Sequence, residues 1–80
     1  MPHFFFHIRE RDKLTTDPEG EEHQDLEQAR AEAVTAAREI MAEKVVQGEI
    51  AEGEQFEICD AAGAVLAVIP FEEAIKLPSP

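Results

Sequence analysis

Four sets of side chains in this 80-residue chain could in principle do chemistry: three histidines, one cysteine, an acidic run and four glycines. His3 and His7 stand four residues apart in His3-Phe4-Phe5-Phe6-His7-Ile8-Arg9. If that segment is extended, their Cα atoms lie about 13 Å apart, too far for two ligands of one metal. A metal there would need a further His from a neighbouring strand or a second chain, so the pair reads as the polar edge of a sheet face. His23, among Glu21, Glu22 and Asp25, reads as a local electrostatic partner of those acids. Cys59 would need a nearby base and a lowered pKa to act as a nucleophile. Its neighbours Glu57 and Asp60 act the other way, which makes it a packing residue, near a dimer axis if it faces an uncovered side. The run Asp17, Glu19, Glu21, Glu22, Asp25, Glu27 suggests calcium, but Pro18 and Gly20 interrupt it and EF-hand ligand spacing is missing. Acids ahead of a helix are stabilising without an ion, because the helix N-terminus is positive. Gly20, Gly48, Gly53 and Gly63 are isolated, so no phosphate-cradling loop forms. No Ser-His-Asp, Cys-His or paired-carboxylate set emerges. The expectation is a chain without catalytic, metal-ligating or cofactor-binding residues.

The elements that position these groups follow from hydrophobic periodicity. His3–Arg9 alternates as a strand, with Phe4, Phe6 and Ile8 on one face and His3, Phe5, His7 and Arg9 on the other. Glu10-Arg11-Asp12 is a polar turn, Lys13–Thr16 a short return strand carrying Leu14, and Asp17-Pro18-Glu19-Gly20 a second turn. Asp25 is a good N-cap with Gln28 three residues on. The helix should run from Leu26 to Gln47 and stop at Gly48. Its inward stripe is Leu26, Ala29, Ala33, Ala36, Ala37, Ile40 and Lys44, with Val34 and Met41 at its margin, and small side chains let a helix approach a sheet closely. Gly48–Glu54 is a loop with Ile50 as its expected plug. Gln55–Asp60 and Ala64–Ile69 form a hairpin across Asp60-Ala61-Ala62-Gly63. Pro70 ends the last strand, Phe71 tucks onto the core, and Glu72–Leu77 forms one helical turn before a short tail.

The reading is an α+β fold of order ββαββ, with one long helix on one face of a three- to four-stranded, mainly antiparallel sheet. It places a single domain over residues 1–71 and a helical turn and tail over 72–80. The expected core is Phe4, Phe6, Ile8, Phe56, Ile58, Leu66 and Val68 against the helical stripe. The second sheet face then carries Phe5, Val65, Ala67 and Ile69, with Cys59 beside them, and no element remains to cover it. An uncovered apolar patch marks an interface, so the expectation is a homodimer through Phe5, Cys59, Val65, Ala67 and Ile69, helped by an edge strand.

Composition sets the outer limits. One 80-residue domain buries only about 60–65% of its unfolded surface. The large apolar set is 22 residues, five of them Phe, enough for one helix–sheet layer but not for a deep cavity as well. Seven Lys and Arg against eighteen Asp and Glu leave a net charge of −11. That excludes nucleic acid, which needs clustered bases, and disfavours an anionic membrane. The longest apolar run, Ala64–Pro70, is far short of the roughly 20 residues that span a bilayer. With no basic-then-apolar leader and a single cysteine, a cytoplasmic location is expected.

Several of these segments occur together in an order that resembles a known family. They are the opening Met1-Pro2-His3-Phe4-Phe5-Phe6-His7-Ile8, the Asp17-Pro18-Glu19-Gly20 turn, Asp25-Leu26-Glu27 with Ala29, Glu32 and Ala33, and Phe56, Ile58, Asp60, Gly63, Leu66 and Ile69-Pro70-Phe71. The set, spanning roughly Met1 to Phe71, is similar to the bacterial domain of unknown function 6894 family of short proteins. It departs from the family at His7, where members often carry Asp. The resemblance implies no activity, cofactor or catalytic residue.

Function is then expected to be non-enzymatic: a small acidic homodimeric module that binds another protein, one with a basic surface steered by the charge. An antitoxin-like or regulatory partner in a small operon is the first alternative, and a small ligand-binding or hydrolytic domain, which would need a concave polar pocket, the second.

Overall fold

The computed structural model describes residues 1–75. It contains strands β1 (His3–Glu10), β2 (Lys13–Thr15) and β3 (Glu21–Glu22), helix α1 (Leu26–Val46), strands β4 (Glu54–Cys59) and β5 (Val65–Pro70), and a 3₁₀ turn over Phe71–Ile75. The class is α+β, as the sequence indicates. The sheet has five strands in antiparallel order β2-β1-β4-β5, and β3 joins the other half of β1. The two-residue β3 is an addition to the expected ββαββ order. Glu21 and Glu22 carry no apolar alternation, and they pair only because the turn before them returns the chain alongside Phe4 and His3.

Helix α1 starts where its capping chemistry says it should. The Asp25 carboxylate accepts the Gln28 N–H at 2.9 Å, and the Gln28 side chain reaches back to the Gln24 N–H at 2.8 Å. It ends in a Schellman motif. Gly48 takes φ +81°, its N–H bonds the Val45 carbonyl, and the Glu49 N–H bonds the Lys44 carbonyl at 2.7 Å. No Gly or Pro interrupts the turns between. Ala29, Ala33 and Ala37 are wholly buried, so the axis lies close to the sheet while aromatic bulk comes from the strands. Phe56 meets Phe6 edge-on at 6.1 Å and Phe71 at 5.0 Å. The Arg38 guanidinium donates to the Ala74 carbonyl at 2.6 Å and ties the 3₁₀ turn to the helix. The Lys76–Leu77 end of the expected helical turn lies outside the described residues.

The last strand sits in the opposite phase from the expected one. Ile69 pairs with Phe56 and Ala67 with Ile58, and both are buried against the helix at 4% and 8% exposure. Leu66 and Val68, expected in the core, are 41% and 44% exposed. Ala67 and Ile69 are thus core residues and are not available to an interface. The physical reason is that Ala64–Ile69 is apolar throughout, so its own pattern cannot choose a face. Pairing with Phe56 and Ile58 makes the choice, and a bulge opposite Cys59 turns both Val65 and Leu66 outward. Ile50 is 76% exposed and plugs nothing.

Hydrogen-bond parity also follows from the register. The Phe6 N–H points away from β4, to Asp17, so Ile58 turns its own backbone groups toward β5. Ile58–Ala67 and Phe56–Ile69 are then the hydrogen-bonded pairs, and Val68 and Pro70 direct their backbone to the free edge. Pro70 costs the ladder nothing there, because its missing N–H would have pointed to solvent.

Candidate functional site

The molecule is only 18 Å thick along its shortest axis, the depth of one sheet and one helix. All the covering elements lie on one side, and the opposite face of the sheet is open. Alternation places His3, Phe5, His7 and Arg9 of β1 on this open face, Leu14 of β2 beside Arg9, Gln55, Glu57 and Cys59 on β4, and Val65, Leu66 and Val68 on β5. Val65 is 53% exposed, whereas Phe5 is half-buried between the rings of His3, 5.1 Å away, and His7, 6.4 Å away.

A single ion pair crosses the middle of the face. Arg9 Nε donates to Glu57 Oε2 at 2.9 Å and Arg9 Nη2 to Oε1 at 3.4 Å, a two-point contact. The Gln55 amide adds a third donor at 3.2 Å. The Arg9 hydrogen bond, against the opposing pull of desolvation, holds the Glu57 carboxyl below the usual carboxylate range, and the same bond raises Arg9. Each strand residue here is needed for the pair. β1 and β4 put Arg9 and Glu57 on neighbouring, diagonal positions, and Gln55 lies directly across from Arg9.

Of the five residues expected at an interface, Phe5, Cys59 and Val65 do belong to this face, and Ala67 and Ile69 do not. Cys59 is on it but only 3% exposed. Burial, followed by the charges of Glu57 and Asp60, pushes its thiol pKa up, so it is a poor nucleophile. Residues that sequence reasoning missed are Leu66 and Val68, hidden by the wrong strand phase, and the Arg9–Glu57 pair. That pair's partners are 48 positions apart, and only strand pairing reveals them.

The other histidines take structural places. His23 lies on the helix side, its ring 6.3 Å from Phe4 and 5.7 Å from Phe6, with Nε2 3.1 Å from Glu21. His3 Nε2 donates to the Glu19 carbonyl at 2.7 Å, and His7 Nδ1 accepts the Asp17 N–H at 3.0 Å. Among the described residues, no three His, Cys, Asp or Glu side chains gather as a metal site would require.

A second feature is a cleft of about 400 Å³ at the β1–β2 turn, lined by Glu10, Asp12, Lys13, Lys44, Glu52 and Glu54 among others. Three of its charged groups are engaged with one another. Lys44 Nζ donates to Glu54 Oε1 at 2.7 Å and lies 3.9 Å from Glu10. The bond to Glu54 outweighs desolvation and raises the Lys44 pKa. No helix among the described residues is long and apolar enough to cross a membrane.

The comparisons agree with the ordered segments quoted above. The family model for the domain of unknown function DUF6894 matches residues 3–72. No curated protein and no solved structure matches the chain. The chain belongs to the DUF6894 family.

Proposed function

We propose that this protein is a non-enzymatic protein-interaction module that pairs with a second copy of itself through the open sheet face. The observation that carries the reading is where the charge is not. A chain of net charge −11 repels its own copy almost everywhere. The central strands of the open face carry only Arg9 and Glu57, which neutralise each other, and the one further charged strand residue, Glu22, stands opposite His3 at the β3 margin. The exposed apolar residues Val65, Leu66 and Val68 cluster on β5, the edge strand away from Glu22. A basic partner would be drawn instead to the acidic remainder, which stays free in such a pair and is the natural surface for a second protein.

Size sets the strength. Four strands at about 4.8 Å spacing and about six residues of length offer roughly 20 Å by 20 Å, the low end for a specific interface. The expected affinity is micromolar, not nanomolar. The reading takes the chain as cytoplasmic, where Cys59 stays a thiol.

Sedimentation equilibrium tests it. At about 100 µM the native chain should show a mass close to two protomers. Val68→Asp should restore a single-chain mass, while Val46→Asp, on the exposed helix surface, should not. A native mass of one chain up to about 1 mM overturns the reading.

A further inference from the structure

The loop from Thr16 to Gly20 crosses the edge of β1 at the one place where no strand pairs with it. β2 covers Ile8–Glu10 and β3 covers His3–Phe4. Between them the Phe6 N–H is taken by Asp17 Oδ2 at 3.2 Å, so a carboxylate stands in for a missing strand. The other oxygen, Oδ1, accepts the N–H groups of Glu19 at 3.2 Å and Gly20 at 3.1 Å. Two histidine rings hold the loop from β1: His3 through the Glu19 carbonyl, His7 through the Asp17 N–H.

The two histidine contacts differ in kind. His3 donates, and a further proton leaves that bond intact. His7 accepts. A backbone N–H can only donate, so Nδ1 of His7 is unprotonated and the neutral ring carries its proton on Nε2. The next proton, taken from water, can enter only at Nδ1, the atom that holds the loop. The charged groups facing His7 are Asp17 from the loop, Glu57 directly across on β4, and Arg9 two positions along β1. Arg9 and Glu57 are bound to each other, which leaves the Asp17 carboxylate as the free counter-charge for an imidazolium. To reach it, that carboxylate gives up backbone N–H groups it now holds.

We propose that His7 and Asp17 form a proton-operated latch, in which protonation of His7 Nδ1 releases the Thr16–Gly20 loop and uncovers the Phe5–His7 edge of β1. The latch goes beyond the pairing reading and does not depend on it, although it borders the same face.

Amide hydrogen exchange on the full chain tests the latch. In His7→Asn the side-chain oxygen can accept the Asp17 N–H at every pH. Native and variant chains should match near pH 8. Near pH 5.5 the Phe6 and Asp17 amides of the native chain should exchange at least about tenfold faster than those of the variant. A native-to-variant ratio that does not change with pH overturns the proposal. Should the variant not fold, the native chain's imidazole ¹⁵N resonances serve instead. The Phe6 and Asp17 amide shifts should then follow the His7 titration curve. A ring that takes up its proton while both amides stay unmoved overturns the proposal equally.

Discussion

The two faces of the sheet use the same three long strands, β1, β4 and β5, and do opposite things with them. The covered face is almost purely apolar and is completed by three alanines and a 3₁₀ turn: Phe4, Phe6, Phe56, Ile58 and Ile69 meet Ala29, Ala33, Ala37 and Phe71. The open face has its one ion pair in the middle, aromatic rings in a row along β1, and exposed aliphatics along β5. On the first face, removing an atom leaves a hole. On the second, the aliphatics of β5 are exposed and a change there removes little packing. Under the proposed pairing, stability and recognition would be separated by the thickness of one sheet.

The largest expected effect tests the covered face. Phe71 is 1% exposed, and Phe71→Ala should cost about 3–5 kcal/mol, measured as a fall in the urea midpoint. A loss under about 1 kcal/mol would mean that the 3₁₀ turn does not seal the core. Next comes the loop between the faces. Gly20 has φ +70°, and an added Cβ would stand 2.7 Å from the His3 ring and 2.8 Å from the Phe4 carbonyl. Gly20→Ala should cost about 1–3 kcal/mol. Gly63→Ala, also at positive φ but in open space, should cost only about 1 kcal/mol. Equal losses would remove the special role of the close approach.

Acid should expose the same loop. Burial alone would push the Asp17 carboxyl up, but the N–H groups of Gly20, Phe6 and Glu19 outweigh it and hold its pKa below the ordinary value. A carboxyl with a lowered folded pKa contributes stability that is present above its unfolded pKa and lost as pH falls through the folded one. The urea midpoint should drop through that acid range, and Asp17→Asn should flatten this part of the profile. An unchanged acid limb in the variant would count against the carboxylate's role. The smallest effect is expected on the open face. Val68→Thr should change single-chain stability by no more than about 0.5 kcal/mol, although under the proposed pairing the same position should decide the mass in the sedimentation experiment.

Legibility divided along the same line. Helix α1 was readable almost to the residue, because Asp25, Gln28 and Gly48 are local signals that act within a few positions. Strand β1 was equally clear from its alternating aromatics, and Phe71 from its place after Pro70. What failed was the phase of β5. Val65, Leu66, Ala67, Val68 and Ile69 are all apolar, and only long-range pairing with Phe56 and Ile58 tells them apart. Two of the five expected interface residues, Ala67 and Ile69, were misplaced for that reason. Strand β3 was unreadable because two glutamates have no β-propensity of their own and are recruited by the turn that precedes them. The Asp17 turn was legible as a turn. Its second duty, closing the gap beside Phe6, depends on a contact made across eleven positions.

Pro70 has a further consequence for how the molecule lives in a crowded solution. On the outermost strand, the outward backbone positions near the end are Val68 and Pro70, and only the first of them has a hydrogen to offer there. A bulge breaks the regular spacing at the other end. A neighbour attempting to extend the sheet sideways would find one usable donor between two interruptions. Lateral growth into fibrils along this edge is thereby discouraged.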